Sequence, residues 1–276
     1  MNKLSLTVPA GSVYGILGPN GSGKTTTLGI VLGIIHATSG SFNWFGEGHA
    51  DANRKRIGAL LEQPVFYPYL SGEQNLKLAA RIKEVDKKDS ERVLQLVELE
   101  ARKKSQARTY SLGMKQRLAI ASAMLGDPEV LVLDEPTNGL DPQGIAEMRE
   151  LIKKIVATGK TIILASHLLD EVEKVCTHVA VIKNGVLLAE GSVNDIVRNE
   201  AQLEIAGSDM DRIASLLKGF AGVNEIVRQD SIWLVSIDEN ISPATINTHL
   251  INAGADVFHF TLRKKRLEEQ FLELTA

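Results

Sequence analysis

The 276-residue sequence has one cysteine, two tryptophans and only 5% aromatic residues. With Cys176 alone no internal disulfide can form, so a small secreted scaffold stapled by cystines is excluded. A single cysteine suits a reducing compartment, where it is expected to fill a helix core position. Net charge is equally scarce: 31 Lys and Arg face 34 Asp and Glu, a formal charge of −3. Nucleic-acid binders tend to be basic, so no nucleic-acid partner is expected. No apolar run approaches the roughly 20 residues of a membrane helix, and no secretion-signal pattern follows Met1. Any work at a membrane would therefore need a second protein. His36, His49, His178, His249 and His259 lack metal-ligand spacing, and no internal repeat or low-complexity tract is visible. What is present, 44% hydrophobic and 24% charged residues, suffices for a sizeable core in one or two domains.

The densest chemistry follows the apolar run Val13, Tyr14, Gly15, Ile16, Leu17. Gly18, Pro19, Asn20, Gly21, Ser22, Gly23, Lys24, Thr25 and Thr26 fit the P-loop pattern in full. Its glycines permit backbone conformations that a side chain would block, so successive N–H groups can turn inward around a phosphate. Lys24 is placed to reach the β and γ phosphates. Thr25 opens a helix whose first N–H groups and dipole favour an anion, and its hydroxyl is the expected magnesium ligand.

A second element is Val130, Leu131, Val132, Leu133, then Asp134 and Glu135. Four consecutive apolar residues suit a strand buried on both faces of a parallel sheet. Asp134 would then lie at the strand's C-terminal end, where doubly wound sheets bind ligands, and can hold magnesium through water. Glu135 is the better candidate for polarising an attacking water. Alone, such a run could equally be a solvated strand end; the P-loop upstream gives it weight.

With these elements in order, the chain resembles the ATP-binding subunits of ABC transporters over nearly its whole length. Tyr110, Ser111, Leu112, Gly113, Met114, Lys115, Gln116 and Arg117 look like the family's signature motif, with Leu112 and Met114 where Gly and Gln are commoner. Leu140 and Asp141 match the D-loop, and Ser166 and His167 match the switch histidine. The variant signature is similar to those of bacitracin-resistance and lantibiotic-immunity exporters. The resemblance implies an α/β P-loop ATPase fold and ATP hydrolysis with magnesium. It also implies a second ATPase subunit, identical or related, meeting the first head to tail, so that Ser111 and Gly113 of one cover the nucleotide held by Lys24 of the other. An integral membrane permease would be the further partner, with this subunit on the cytoplasmic face of the membrane. The substrate implied is an antimicrobial peptide, drug or lipid-like compound. A soluble ATPase of the same type, coupled to nucleic acid or ribosomes, is the alternative; those proteins typically carry two ATPase domains or a long coiled insert, and no sustained heptads occur here.

Two departures from the family pattern stand out. Where a Gln is usual after Ile57 to Leu61, the sequence reads Glu62 and then Gln63. Alignment favours Glu62, which could still ligate magnesium and face the water; a one-residue shift would put Gln63 there, and a solvated loop carboxylate is the plain alternative. The family also has a strand and an adenine-stacking aromatic upstream of the P-loop. Here only Leu4, Leu6 and Val8, alternating with Ser5 and Thr7, read as a strand before it. Either the recorded start is internal or adenine is held otherwise, with Tyr14 the aromatic at hand.

The ATPase domain is expected over 1–198, with a helical subdomain over about 67–125 whose buried face carries Val93, Leu94, Leu96 and Val97. In the family that subdomain touches the membrane subunit, and Phe66, Tyr67, Pro68 and Tyr69 would lie near the contact or else fill a small core. A helix from Ser111 to about Leu125, a helix Leu168 to Val175, and a hairpin Val179 to Ala189 turning at Asn184-Gly185 complete it. An accessory domain over 199–276 reads as strand Gln202 to Ala206, helix Asp211 to Gly219, strands Val223 to Arg228 and Ser231 to Ile237, helix Pro243 to Ala253 and strand Asp256 to Leu262. That βαββαβ order is ferredoxin-like. No catalytic constellation appears in it, and the basic run Arg263, Lys264, Lys265, Arg266 reads as a solvated face before an acid-docking one.

Overall fold

The computed structural model describes residues 3–46, 51–61, 65–196, 201–238, 240–264, 267–268 and 270–271. They form two compact units, one running to Val193 and the other from Asn194. In chain order the first contains β1 (Val13–Leu17), α1 (Lys24–Val31), α2 (Asp51–Arg54), β2 (Ile57–Leu60), α3 (Gly72–Ile82), α4 (Asp89–Leu96), α5 (Leu112–Ala123), β3 (Val130–Asp134), α6 (Pro142–Val156), β4 (Thr161–Ser166), α7 (Leu169–Val175), β5 (His178–Lys183) and β6 (Val186–Ser192). The short α8 (Val193–Ile196) follows.

One six-stranded sheet in the order β2-β3-β4-β1-β5-β6 organises this unit. Its strands are parallel except β6, which returns antiparallel to β5 through the Asn184-Gly185 turn. Every residue of β1, β3 and β4 is buried, as continuous apolar runs in a doubly covered parallel sheet require. Tyr14, Ile16, Leu28, Val132, Ile163 and Ile182 belong to one cluster of that core. Cys176 sits just past α7 as its C-cap and not within a helix, and burial pushes its thiol up to about 12, so it is an inert core group. The expected first strand is corrected too: Leu4, Leu6 and Val8 pack half-buried against the core in alternation with exposed neighbours, but among the described residues they join no ladder. Thr7 N–H donates to Glu190 Oε1 at 3.1 Å.

Between Tyr67 and Leu125 the chain is mostly helical. Ser71 and Gln74 form a capping box that starts α3. Val93 and Leu94 are fully buried with Leu76, Ala80 and Leu118, while Leu96 is half-buried. The C-terminal carbonyls of α5 are held from outside: Lys83 Nζ donates to Ser122 O at 2.7 Å and Ala123 O at 3.1 Å, and Arg92 to Met124 O at 2.9 Å. Burial pushes the Lys83 ammonium down to about 8, against the opposing pull of Asp89. In the unfolded chain it titrates near about 10.4, so between those values the unfolded state binds more protons and stability from this group rises with pH. Below about pH 8 both states are charged and the desolvation cost is fully present. Urea unfolding at about pH 7.5 and about pH 9.5 is therefore expected to show a gain that Lys83→Met lacks. Parallel changes in both proteins would contradict it.

The second unit consists of β7 (Ala201–Gly207), α9 (Met210–Leu217), β8 (Val223–Gln229), β9 (Ile232–Ile237), α10 (Pro243–Asn252) and β10 (Val257–Lys264). Its antiparallel sheet has the order β10-β7-β9-β8, the ferredoxin-like arrangement of fourth, first, third and second strands. Leu203, Ile205, Ile213, Leu217, Val235 and Leu250 lie in its core. Arg263 of the basic run faces Glu204 at 3.3 Å, which also meets His259 at 3.3 Å; Lys265 and Arg266 lie outside the described residues.

Candidate active site

Because β4 lies between β3 and β1, the C-terminal ends of these three strands are neighbours. Each delivers part of one cluster: β1 runs into the P-loop, β3 ends on Asp134 and Glu135, and β4 leads to Ser166 and His167. This is the edge at which open parallel sheets bind ligands.

The loop's shape follows from its glycines. Gly23 has φ 106°, a left-handed conformation just before α1. A Cβ on Gly18 would lie 2.2 Å from Ile182 O and 2.4 Å from Ser22 Oγ, so no larger residue fits. Gly185 N–H of the hairpin turn donates to Ser22 O at 2.8 Å and braces the loop from β5's side. Pro19, Asn20 and Gly21 are exposed along its rim, with Thr25 and Thr26 exposed at the start of α1, whereas Gly18, Ser22 and Lys24 are buried. Ser22 Oγ has no hydrogen-bond partner among the described residues, in a loop whose polar atoms suit an anion.

Lys24, 6% exposed, donates to Gly18 O at 2.8 Å and Pro19 O at 3.4 Å, and its Nζ lies 3.7 Å from Glu135 Oε1. Thr25 Oγ1 donates to Asp134 Oδ2 at 2.7 Å across 109 positions of sequence. A hydroxyl and a carboxylate, both hard oxygen donors at the mouth of a phosphate loop, fit magnesium. Among the described residues no group of three or more His, Cys, Asp or Glu offers another metal site.

Glu135 takes φ 48°, strain on the order of 1 kcal/mol for a side chain with a Cβ. Its N–H donates to Ala165 O at 2.9 Å and its carbonyl accepts from Asn138 N–H at 3.1 Å, so the neighbouring strand holds the turn. The carboxylate faces Lys24 with one oxygen and His167 Nδ1, at 2.8 Å, with the other. Ser166 Oγ accepts from Leu168 N–H at 3.0 Å and fixes the turn that presents His167. A half-exposed carboxylate oriented by an imidazole, beside a buried ammonium, can take a proton from a water near a phosphate held by the loop.

Ser111 and Gly113 lie at the start of α5, a different element from the strand ends that carry this cluster. Ser111 is the N-cap of α5, its exposed Oγ accepting from Met114 N–H at 3.2 Å, while Tyr110 is buried with its hydroxyl on Arg102 O. Asp141 caps α6 through Gly144 N–H. Tyr14 is removed as a candidate for gripping adenine. It is 1% exposed inside the core, donates to Glu190 Oε1 at 2.5 Å, and burial drives its ionisation far above the ordinary phenol range. Glu62 and Gln63 directly follow β2 and Leu61 but lie outside the described residues. The proximity of Lys24 to Glu135 and the strained turn at Glu135 have no counterpart in the sequence reading, because neither is carried by a local pattern.

The family model for ABC transporters matches residues 1–138. The chain is 38% identical, over 99% of its length and 92% of the relative's, to the bacitracin transport ATP-binding protein BcrA of Bacillus licheniformis. Two solved structures agree. The cbiO1 subunit of Clostridium perfringens, part of the cbiONQ transporter complex, superposes with a TM-score of 0.65 at 27% identity over 79% of this chain and 87% of its own. The ATP-binding cassette MJ0796, a dimer bound to ADP and Pi, gives 0.61 at 26% identity over 68% and 88%. With the P-loop, Asp134, Glu135 and His167 gathered at one edge of the sheet, the chain belongs to the ATP-binding subunits of ABC transporters, ATPases that drive transport.

Proposed function

We propose that this subunit powers a separate membrane permease that exports an antimicrobial peptide, drug or lipid-like compound, and that it acts from the cytoplasmic face of the membrane. The gathering of Lys24, Thr25, Asp134, Glu135 and His167 at adjacent strand ends carries the ATPase part of the reading. Its likeness to a relative named for bacitracin transport supports the choice of such a compound as cargo.

In this mechanism Lys24 and the N–H groups of the loop Gly18 to Thr25, Pro19 apart, bind the phosphates, with Thr26 beside them. Thr25 and Asp134 would hold magnesium, with Glu62, in the Gln position of the family, as the further ligand. A magnesium ion held there would supply charge stabilisation of the phosphates. Glu135 accepts the water's proton, and His167 keeps the carboxylate aimed. Two subunits, identical or related, meet head to tail, and Ser111 with Gly113 cover the nucleotide held by the partner.

Residues 1–198 act as the ATPase domain and 199–276 as an accessory domain. The helical stretch over about 67–125 faces the permease, which fits the exposure of Tyr67 (63%) and Tyr69 (72%), too high for core aromatics. No described helix is long and apolar enough to cross a membrane, so the substrate path belongs to the partner. Affinity purification of the tagged chain from its own membranes is expected to return an integral membrane protein. Recovery of ribosomes or DNA-bound complexes without one would overturn the reading.

A further inference from the structure

A set of contacts in the first unit ties the signature helix α5 to the D-loop and α6 of the same chain, and none of them touches this chain's own P-loop. Leu112, where the family more often has Gly, is 43% exposed yet leans on Gly139. At φ +76°, a Cβ on Gly139 would come 3.1 Å from Leu112 Cδ2. Beside it, a Cβ on Gly113 would lie 3.8 Å from Leu140 Cδ2. Farther along α5 the guanidinium of Arg117, 16% exposed, forks between two carboxylates. One nitrogen donates to Glu147 of α6, and another lies 3.6 Å from Glu98 just past α4. Glu98 pairs with Lys154 of α6, and Glu147 also accepts from Gln143 Nε2 at 3.0 Å.

A planar fork bridging two carboxylates on different elements fixes direction as well as distance, which an ammonium cannot do. The guanidinium is shielded while Glu147 and Glu98 reach solvent at 44% and 58% exposure, so the contact acts through its geometry more than through its charge. Since α6 starts at the D-loop through its Asp141 cap, holding α6 against α5 also sets where the D-loop lies relative to Ser111 and Gly113. We infer that Arg117 is a positioning residue that locks the signature motif and D-loop of one chain into a single unit, so that both reach the partner's nucleotide together. The inference rests on the reading that Ser111 and Gly113 serve the partner's nucleotide.

The test compares full-length chains carrying Arg117→Ala, Glu147→Ala, both, or Arg117→Lys, which keeps the charge and loses the fork. Each is expected to lower kcat for ATP about tenfold, within the usual range of coupling between sites. The affinity of the separate chain for nucleotide should stay within about twofold, and the double variant should lose no more than the worse single one, as for residues acting through one contact. A merely structural role would instead lower nucleotide affinity and thermal midpoint together. Unchanged kcat in the folded variants, additive losses, or a matching fall in affinity would overturn the assignment. Ser111→Arg run in parallel separates the two levels: if it inactivates while the Arg117 variants do not, only this inference fails, and if it leaves kcat intact, the head-to-tail reading itself fails.

Discussion

Replacing Glu135 by Gln is expected to cut ATP turnover by about 100-fold to 10,000-fold, the usual contribution of a placed general base, while ATP binding persists. Binding and proton removal sit on different residues. In the proposed mechanism Lys24 and the loop backbone grip the phosphates, and Glu135 Oε1 lies 3.7 Å from Lys24 Nζ. Removing its negative charge next to a polyphosphate can only favour retention of ATP. The variant should therefore accumulate as an ATP-bound dimer, visible as doubled mass in light scattering, with the ATPase assay near background. His167 should behave as an orienter: its imidazole contacts Glu135 Oε2 at 2.8 Å, and its truncation is expected to lower kcat by a smaller factor than loss of the carboxylate. Near wild-type turnover in Glu135→Gln would remove this residue from the mechanism.

Ser111→Arg is expected to abolish ATP-driven dimers and turnover while the separate chain keeps its affinity for ATP. Ser111 is exposed at the start of α5, and its contact within its own chain is the cap to Met114 N–H. Losing that cap costs about 1 kcal/mol, too little to unfold a domain of ordinary stability. A bulky cation there would, however, occupy the surface offered to the partner's phosphate. Titration with nucleotide and sedimentation velocity separate the two effects. Lost affinity in the separate chain, with dimers intact, would mean that Ser111 acts within its own chain.

What could be read from the sequence is what contiguous residues encode. The P-loop, the buried strand ending in Asp134 and Glu135, and the alternation and turns of the second unit are all local patterns. The sheet then had only to bring strand ends together. Contacts that bridge distant segments without a pattern were not legible. Glu135 beside Lys24 depends on the order β3-β4-β1, and Arg117 between Glu98 and Glu147 depends on how α5 and α6 pack. Tyr14 shows the opposite limit. Its place next to the loop made it a candidate for the base, but alternation along a strand buried on both faces carries no sign of which side chains stay hidden, and its hydroxyl is spent on Glu190. Leu4, Leu6 and Val8 likewise carry a strand's alternation, and their half-buried packing satisfies it without a ladder among the described residues.

In the head-to-tail dimer proposed for this subunit, each ATP is hydrolysed between the P-loop of one chain and the signature of another. The most direct measurement mixes two inactive chains, one Glu135→Gln and the other Ser111→Arg, and follows phosphate release. In a head-to-tail dimer the mixed pair holds one complete site, with Lys24 and Glu135 from the second chain and Ser111 from the first. Turnover should then return to at most about a quarter of the wild-type rate, since half the dimers are mixed and each has one of two sites intact. A mixture as inactive as its two components would contradict the shared site.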